Sequence, residues 1–243
     1  MTNHDAPTIR RLGVLGDVHG EHDRLAAALD WFAGQRLDAV LCTGDVADGA
    51  GCINRCCALL REAGVITVAG NHDRWLLSDK VRHVAAAHRL ADVDAEHTEY
   101  LRTLPRTSEL TTVAGRLLLC HGIGEHDMAK VWPGTRGPDS IRRSVALDRL
   151  LDDGRFRFMV HGHLHYGVLI DFESLLLMNA GTLKGPRGGV SVIDFAAGEV
   201  ASFEFSAAAA LQRRAVHPLA PPAGRRIWRS TAEFDGRWEP VLL

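Results

Sequence analysis

Five apolar runs in this chain end beside a glycine and an aspartate, asparagine or histidine, and that pattern constrains the fold more than any other. Residues 12–15 lead into Gly16-Asp17-Val18-His19-Gly20, 39–43 into Gly44-Asp45-Val46-Ala47-Asp48, and 65–69 into Gly70-Asn71-His72-Asp73. Residues 116–120 lead into His121-Gly122, and 156–160 into His161-Gly162-His163-Leu164-His165. Short apolar runs bounded by turn residues read as buried strands. Between the first three lie helical patterns: Leu25, Ala28, Leu29 and Phe32 share one face of a helix over 21–34, and Ile53–Glu62 forms a second, closed by Gly64. Strands alternating with helices make parallel units with right-handed crossovers, and in open α/β sheets ligands bind at the carboxyl ends of the strands. The polar loops therefore share one rim.

The remaining chain supports a two-sheet sandwich flanked by helices. Residues 74–104 read as two or three short helices, the last carried by 96–101 and ended by Pro105. Strands at 110–113 and 116–120 turn at Ala114-Gly115; 123–138 reads as a loop over the rim; Asp139-Ser140 is expected to cap a helix running to about Asp152. After 165 the pattern changes to strands without helices, at 168–172, 175–178, 190–194 and 200–205, with turns at Glu173-Ser174 and Ala197-Gly198 that suit antiparallel hairpins. One domain over 8–206 is expected, followed by a distinct tail, 207–243. The tail holds six arginines against three acids; Trp228 and Trp238 are expected to anchor it on the domain or on a neighbouring subunit, as in a homo-oligomer, in preference to binding RNA or phosphate.

At 243 residues with a net charge of −2 the chain has core enough for one large α/β domain and no general attraction for nucleic acid or anionic membrane. No apolar run approaches membrane-spanning length, and the first residues lack the basic head and apolar stretch of a secretory signal. A cytoplasmic protein is the expectation, and five cysteines without metal-ligand spacing fit it as reduced, largely buried thiols.

Imidazole, carboxylate and amide oxygen are ligands for borderline and hard divalent metals. Five strand ends carrying them together point to a metal centre, whereas each alone is unremarkable. The order Asp17-x-His19, Gly44-Asp45-x-x-Asp48, Gly70-Asn71-His72-Asp73, His121-Gly122 and Gly162-His163-x-His165 resembles the calcineurin-like metallophosphoesterase family, and the later Asn179-Ala180-Gly181-Thr182 resembles its small bacterial phosphodiesterase branch. The resemblance implies a β-sandwich fold and two transition-metal ions drawn from Mn, Fe, Zn, Co and Ni, divalent or of mixed valence. It assigns Asp17, His19 and His165 to one ion, Asn71, His121 and His163 to the other, and Asp45 to both. His72 is implied to face the substrate, oriented by Asp48. Two ions about 3.5–4 Å apart clamp a phosphoryl group and acidify a bridging water, so a metal-bridging hydroxide is the expected nucleophile and His72 the general acid.

Asp73 is either a supporting residue or a helix start; His161 is expected to be structural, and His22, His83, His88, His97 and His217 ordinary. His126 is a minor candidate for substrate contact. In the protein phosphatase branch the second motif continues Asp-Arg and the third ends in Glu; here Gly49 and Asp73 stand instead. That difference favours a phosphodiesterase acting on a phosphoester small molecule or nucleotide. The alternatives are a phosphomonoesterase, including a protein or nucleotide phosphatase, and a non-catalytic metal-binding scaffold. Arg74, Arg136 and Arg187 are the candidate substrate-binding cations.

Overall fold

A computed structural model describes residues 8–137, 140–206 and 210–243. The first sheet begins with β1 (Arg11–Leu15), β2 (Ala39–Cys42) and β3 (Ile66–Thr67), which run parallel, joined by α1 (His22–Ala33) and α2 (Ile53–Glu62). Later strands β9 (Gly189–Asp194), β10 (Glu199–Phe205) and β11 (Leu211–Pro218) extend it antiparallel on the other side, in the order β11-β10-β9-β1-β2-β3. The second sheet contains β4 (Thr107–Thr112), β5 (Gly115–Cys120), β6 (Phe158–His161), β7 (Gly167–Phe172) and β8 (Leu176–Ala180), with β12 (Ile227–Trp228) at one edge and β13 (Val241–Leu242) pairing with β7.

Strand side chains alternate between two layers because successive residues point to opposite faces. Leu12 and Val14 of β1, Leu117 and Leu119 of β5, and Phe158 and Val160 of β6 meet in the core between the sheets. Leu15 and Cys42 face the helices instead, with Leu25, Ala28 and Phe32 of α1 and Cys56, Cys57 and Leu60 of α2. Leu118, Met159 and Ile170 face outward from the second sheet onto α5 (Val145–Asp153). Each fully buried Leu or Val contributes roughly 1.5–3 kcal/mol relative to exposure. The result is an α/β sandwich of two mixed sheets flanked by helices. No helix of the described residues is long and apolar enough to cross a membrane.

Some local expectations are met and others are corrected. Short helices occupy the stretch 74–104 as expected, α3 (Asn71–Leu77), a 3-10 turn at Leu90–Asp92 and α4 (Ala95–Thr103), but residues 78–89 between them are irregular. Asp79, Val81 and Ala86 adopt positive φ, which breaks any helix, and the segment between them wraps a buried carboxylate described below. Helix α5 starts after Ser144, whose hydroxyl accepts the Leu147 N–H, rather than at Ser140; Asp139 lies outside the described residues. The segment from 123 is a loop as expected, and it is packed onto the domain through the buried Val131 and Trp132. Cys42, Cys56, Cys57 and Cys120 are buried as expected, while Cys52 is exposed.

In the C-terminal segment β11 completes one sheet, and β12 and β13 pair with the other. Trp228 and Trp238 are buried with Phe234 against the outer face of the second sheet. Arg225 forms a two-pronged pair with the buried Asp171, at 2.8 Å for both nitrogens.

Candidate metal centre

The carboxyl ends of β1, β2, β3, β5 and β6 converge where the two sheets meet, and all seven proposed ligands lie there buried or half-buried, except the more exposed His165. Two groups of donor atoms form. Asp17, His19, Asp45 and His165 make one, Asp45, His121 and His163 the other, each with ligand atoms within 4.8 Å of one another. Asp45 belongs to both. Its Oδ2 lies 3.8 Å from His19 Nε2 and 3.4 Å from His121 Nε2, while its Oδ1 accepts the His72 N–H at 2.8 Å.

Backbone carbonyls set the imidazole tautomers, because a carbonyl only accepts. His19 Nδ1 faces the Asp48 and Ala47 carbonyls at 2.9 and 3.2 Å, and His121 Nδ1 faces the Thr43 carbonyl at 2.8 Å. The neutral rings therefore carry the proton on Nδ1 and present an Nε2 lone pair to the centre. His121 Nε2 then faces Asn71 Oδ1 at 3.0 Å, and His19 Nε2 faces His165 Nε2 at 2.9 Å. The buried His163 Nε2 has no hydrogen-bond partner. Burial holds His19 down at about 4 against the pull of Asp17, and holds His163 at about 4 with help from His121. Lone pairs thus converge on carboxylate oxygens with few protons between them, a donor set that a cation would satisfy.

The two carboxylates at the centre differ. Burial would raise Asp17, but His121, His165 and His19 outweigh it and hold the group well below the usual carboxylate range; Thr43 Oγ1 and the His163 N–H each donate to it at 2.8 Å. Asp45 is pushed up by burial and by its neighbours Asp17 and Asp73.

The loops are built to admit these atoms. A Cβ at Gly70 would overlap Asp45 Oδ1, and one at Gly162 would overlap Asp17 Oδ1. His19, Asp45, Asp48, His163 and His165 all adopt positive φ, a conformation costly for non-glycine residues and typical of functional sites. Asp73 both receives the Gly70 N–H that opens α3 and accepts the Ala47 N–H, each at 2.9 Å, so it bolts two motif loops together. Asn179 donates to the Gly162 carbonyl, and Thr182 Oγ1 donates to the Asp17 carbonyl at 2.8 Å, supporting two further loops. His161 is fully buried, and burial lowers it to about 3.

Beside the proposed metal ligands, His72 Nδ1 lies 2.7 Å from Asp48 Oδ2, and its ring stands edge-on to His19. Asp48 is also gripped by Arg82, with Nη1 2.8 Å from Oδ1 and Nη2 2.9 Å from Oδ2, and by the His88 N–H at 3.0 Å. Burial opposes ionisation of Asp48, but bonds from His72, Arg82 and His88 hold it at about 2. Arg82 and His88 escaped sequence reasoning because they come from the irregular segment 78–89, which carries no periodic signal. At Gly49 no side chain fits, since a Cβ would overlap the His19 carbonyl. Of the candidate cations, Arg74 pairs with Asp127 at 2.6 Å, Arg136 with Glu239 at 3.0 Å, and Arg187 donates to the Tyr166 hydroxyl at 2.7 Å. His126 closes a tight turn with Ile123, the two exchanging backbone bonds at 3.1 Å.

The sequence model of the calcineurin-like phosphoesterase superfamily domain matches residues 11–202. An uncharacterised protein of Methanocaldococcus jannaschii is 23% identical over 200 residues, covering 74% of this chain and 79% of that protein. A metallophosphoesterase from Sphaerobacter thermophilus has a similar structure, with a TM-score of 0.59 and 22% identity over 87% of this chain and 90% of its own. A solved archaeal phosphodiesterase is similar at a TM-score of 0.51 and 12% identity, over 79% of this chain and 98% of its own.

Proposed function

Because the chain belongs to the calcineurin-like phosphoesterase superfamily, we propose that it is a phosphodiesterase working with two transition-metal ions. The observation that carries this reading is the shared carboxylate: Asp45 Oδ2 stands between two clusters of ligand atoms that no other of the described residues joins. The donor set fits the group, since converging imidazole lone pairs and an unpartnered His163 Nε2 want a cation. Asp17, His19 and His165 would hold one ion, Asn71, His121 and His163 the other, and Asp45 both. Bound there, the ions supply Lewis-acid charge to the phosphoryl oxygens and activate water for attack.

The protein's own groups do the rest. The Asp48 carboxylate accepts from His72 Nδ1 and fixes the ring's orientation, which leaves Nε2 free to give a proton to the departing oxygen. A metal-binding scaffold would have no use for that dyad. Arg82 braces the Asp48 carboxylate from its other side. Preference for a diester rests on charge. The guanidinium nearest the dyad, Arg82, is neutralised by Asp48, and Arg74 by Asp127. A singly charged diester therefore suits the centre better than a doubly charged monoester, and the archaeal phosphodiesterase of similar fold agrees with this reading.

With the metal-loaded protein, kcat/KM for bis(p-nitrophenyl) phosphate is expected to exceed that for p-nitrophenyl phosphate by about tenfold or more. The reverse ratio would replace the diesterase by a phosphomonoesterase. Arg82→Ala is expected to lower kcat about tenfold with metal content unchanged, since Asp48 loses a two-pronged, charge-assisted partner. Partial recovery in Arg82→Lys would separate positioning of Asp48 from general damage to the fold.

A further inference from the structure

A second polar cleft shares a wall with the metal centre. It opens between the two sheets and is bounded on the inner side by His165 and Thr182. His165 thus belongs both to the candidate metal site and to the cleft lining, and Thr182 beside it donates to the Asp17 carbonyl. Its outer wall carries two arginines, Arg187 and Arg214.

Neither guanidinium has an ion pair among the described residues. Arg187 has the phenol of Tyr166 as its hydrogen-bond partner and lies over that ring, its Cζ 5.1 Å from the centroid. Tyr166 in turn packs edge-on against the buried Trp132. The loop bearing Arg187 is pinned by Arg24, which donates to the Leu183 and Gly185 carbonyls at 2.6 Å each. Arg214 is exposed and has no ion pair among the described residues.

A bulge directs Arg214 into this cleft. Ala215 stands opposite Ser202 on β10, but the register then shifts, and Arg213 stands opposite Phe203. Arg214 is the extra residue, and a bulge of this kind re-aims a side chain. Without it, Arg214 would share the Phe203 face, which packs toward α1; with it, Arg213 takes that face. Ser202, paired across the sheet with Ser191, lines the same cleft, and its buried hydroxyl has no partner. A buried hydroxyl in that state calls for a bonding group from outside the chain. Glu204 is the one acidic side chain among the lining residues, and it forms no ion pair with either arginine.

Resting on the diesterase reading, we propose that this cleft binds a second phosphate of the substrate. The preferred substrate class is then a phosphodiester, such as a nucleotide ester, that carries a further phosphoryl group away from the scissile bond. Arg187 and Arg214 take its charge.

Two probes with the same scissile bond test this: thymidine 5′-(p-nitrophenyl phosphate) with and without a 3′-phosphate. For the metal-loaded enzyme the 3′-phosphate is expected to lower KM by at least about tenfold, with kcat changing little. In Arg187→Ala/Arg214→Ala the two KM values converge. Arg213→Ala removes the same charge from the opposite face and retains the discrimination. Equal KM values in the unaltered enzyme, survival of the difference in the double variant, or its loss in Arg213→Ala would each overturn the proposal. If neither probe is turned over, the diesterase reading fails separately. Calorimetric titration then decides with thymidine 3′,5′-bisphosphate and thymidine 5′-monophosphate: tighter bisphosphate binding, lost in the double variant, supports the subsite, and equal binding overturns it.

Discussion

Replacing Asp45 by asparagine is expected to lower kcat/KM on an aryl phosphodiester by about 10⁴-fold, equivalent to roughly 5 kcal/mol of transition-state stabilisation. Asparagine is the cleaner probe because residue 45 has a φ of 46°, which asparagine tolerates and alanine does not. Its amide oxygen preserves the bond from the His72 N–H, but its second arm becomes an NH₂ group facing His19 and His121. Elemental analysis should show metal content falling from two ions toward one or none. The metal-free protein should respond in the opposite sense. Burial and the neighbouring Asp17 and Asp73 disfavour the Asp45 charge, so removing it relieves repulsion that a bound cation would otherwise offset. At pH 7, metal-free Asp45→Asn is expected to be more stable than the unaltered protein by about 1–3 kcal/mol in chemical denaturation. Full activity in the variant would sink the shared-ligand assignment. Lost activity with two ions still bound would show that Asp45 acts in some other way.

His72→Ala is expected to reduce kcat by about 10²–10⁴-fold, the usual range for loss of a general acid or base. Metal content should not change, because the His72 side chain contacts Asp48 rather than the shared carboxylate. The backbone bond from residue 72 to Asp45 Oδ1 survives the substitution, so the variant isolates the ring. Leaving-group dependence is the sharper measurement. A nitrophenolate departs without needing a proton, whereas an alkoxide needs one. The variant should therefore be least impaired on nitrophenyl esters and most impaired on alkyl diesters. A uniform loss across leaving groups would remove His72 from proton transfer, and loss of metal would make it a ligand.

Much of the candidate site was legible because its signals are local. Asp17, Asp45, Asn71, His121 and His163 follow apolar runs and lie next to glycines, and strand ends on one rim are close in space whatever the remaining packing. Gly70 and Gly162 stand where a side chain would collide with the carboxylates of Asp45 and Asp17, so those glycines mark the candidate site in sequence as they do in space. The irregular path of segment 78–89 is not legible in sequence, for the opposite reason. Its alanines and Leu90 suggest helix, but Arg82 and His88 bind Asp48, and that contact outweighs a weak local preference. Nothing near residue 82 in the chain indicates a buried carboxylate 34 positions earlier.

The C-terminal segment shows the same division. Trp228 and Trp238 stood out as apolar anchors against a basic background. Their burial on the second sheet, and the addition of β11 to the first, depend on pairings with strands far away in the chain.

By itself, then, the sequence determined the donor set, its order and its placement at strand ends, because residue type and strand periodicity are properties of short stretches. Tertiary structure decided which donors share an oxygen of Asp45, which arginine braces Asp48, and which two arginines line the cleft beside the centre. Those outcomes depend on how two sheets meet and on a single bulged residue in β11. Distances of a few ångströms between remote segments are set by packing the whole core, which no short stretch encodes.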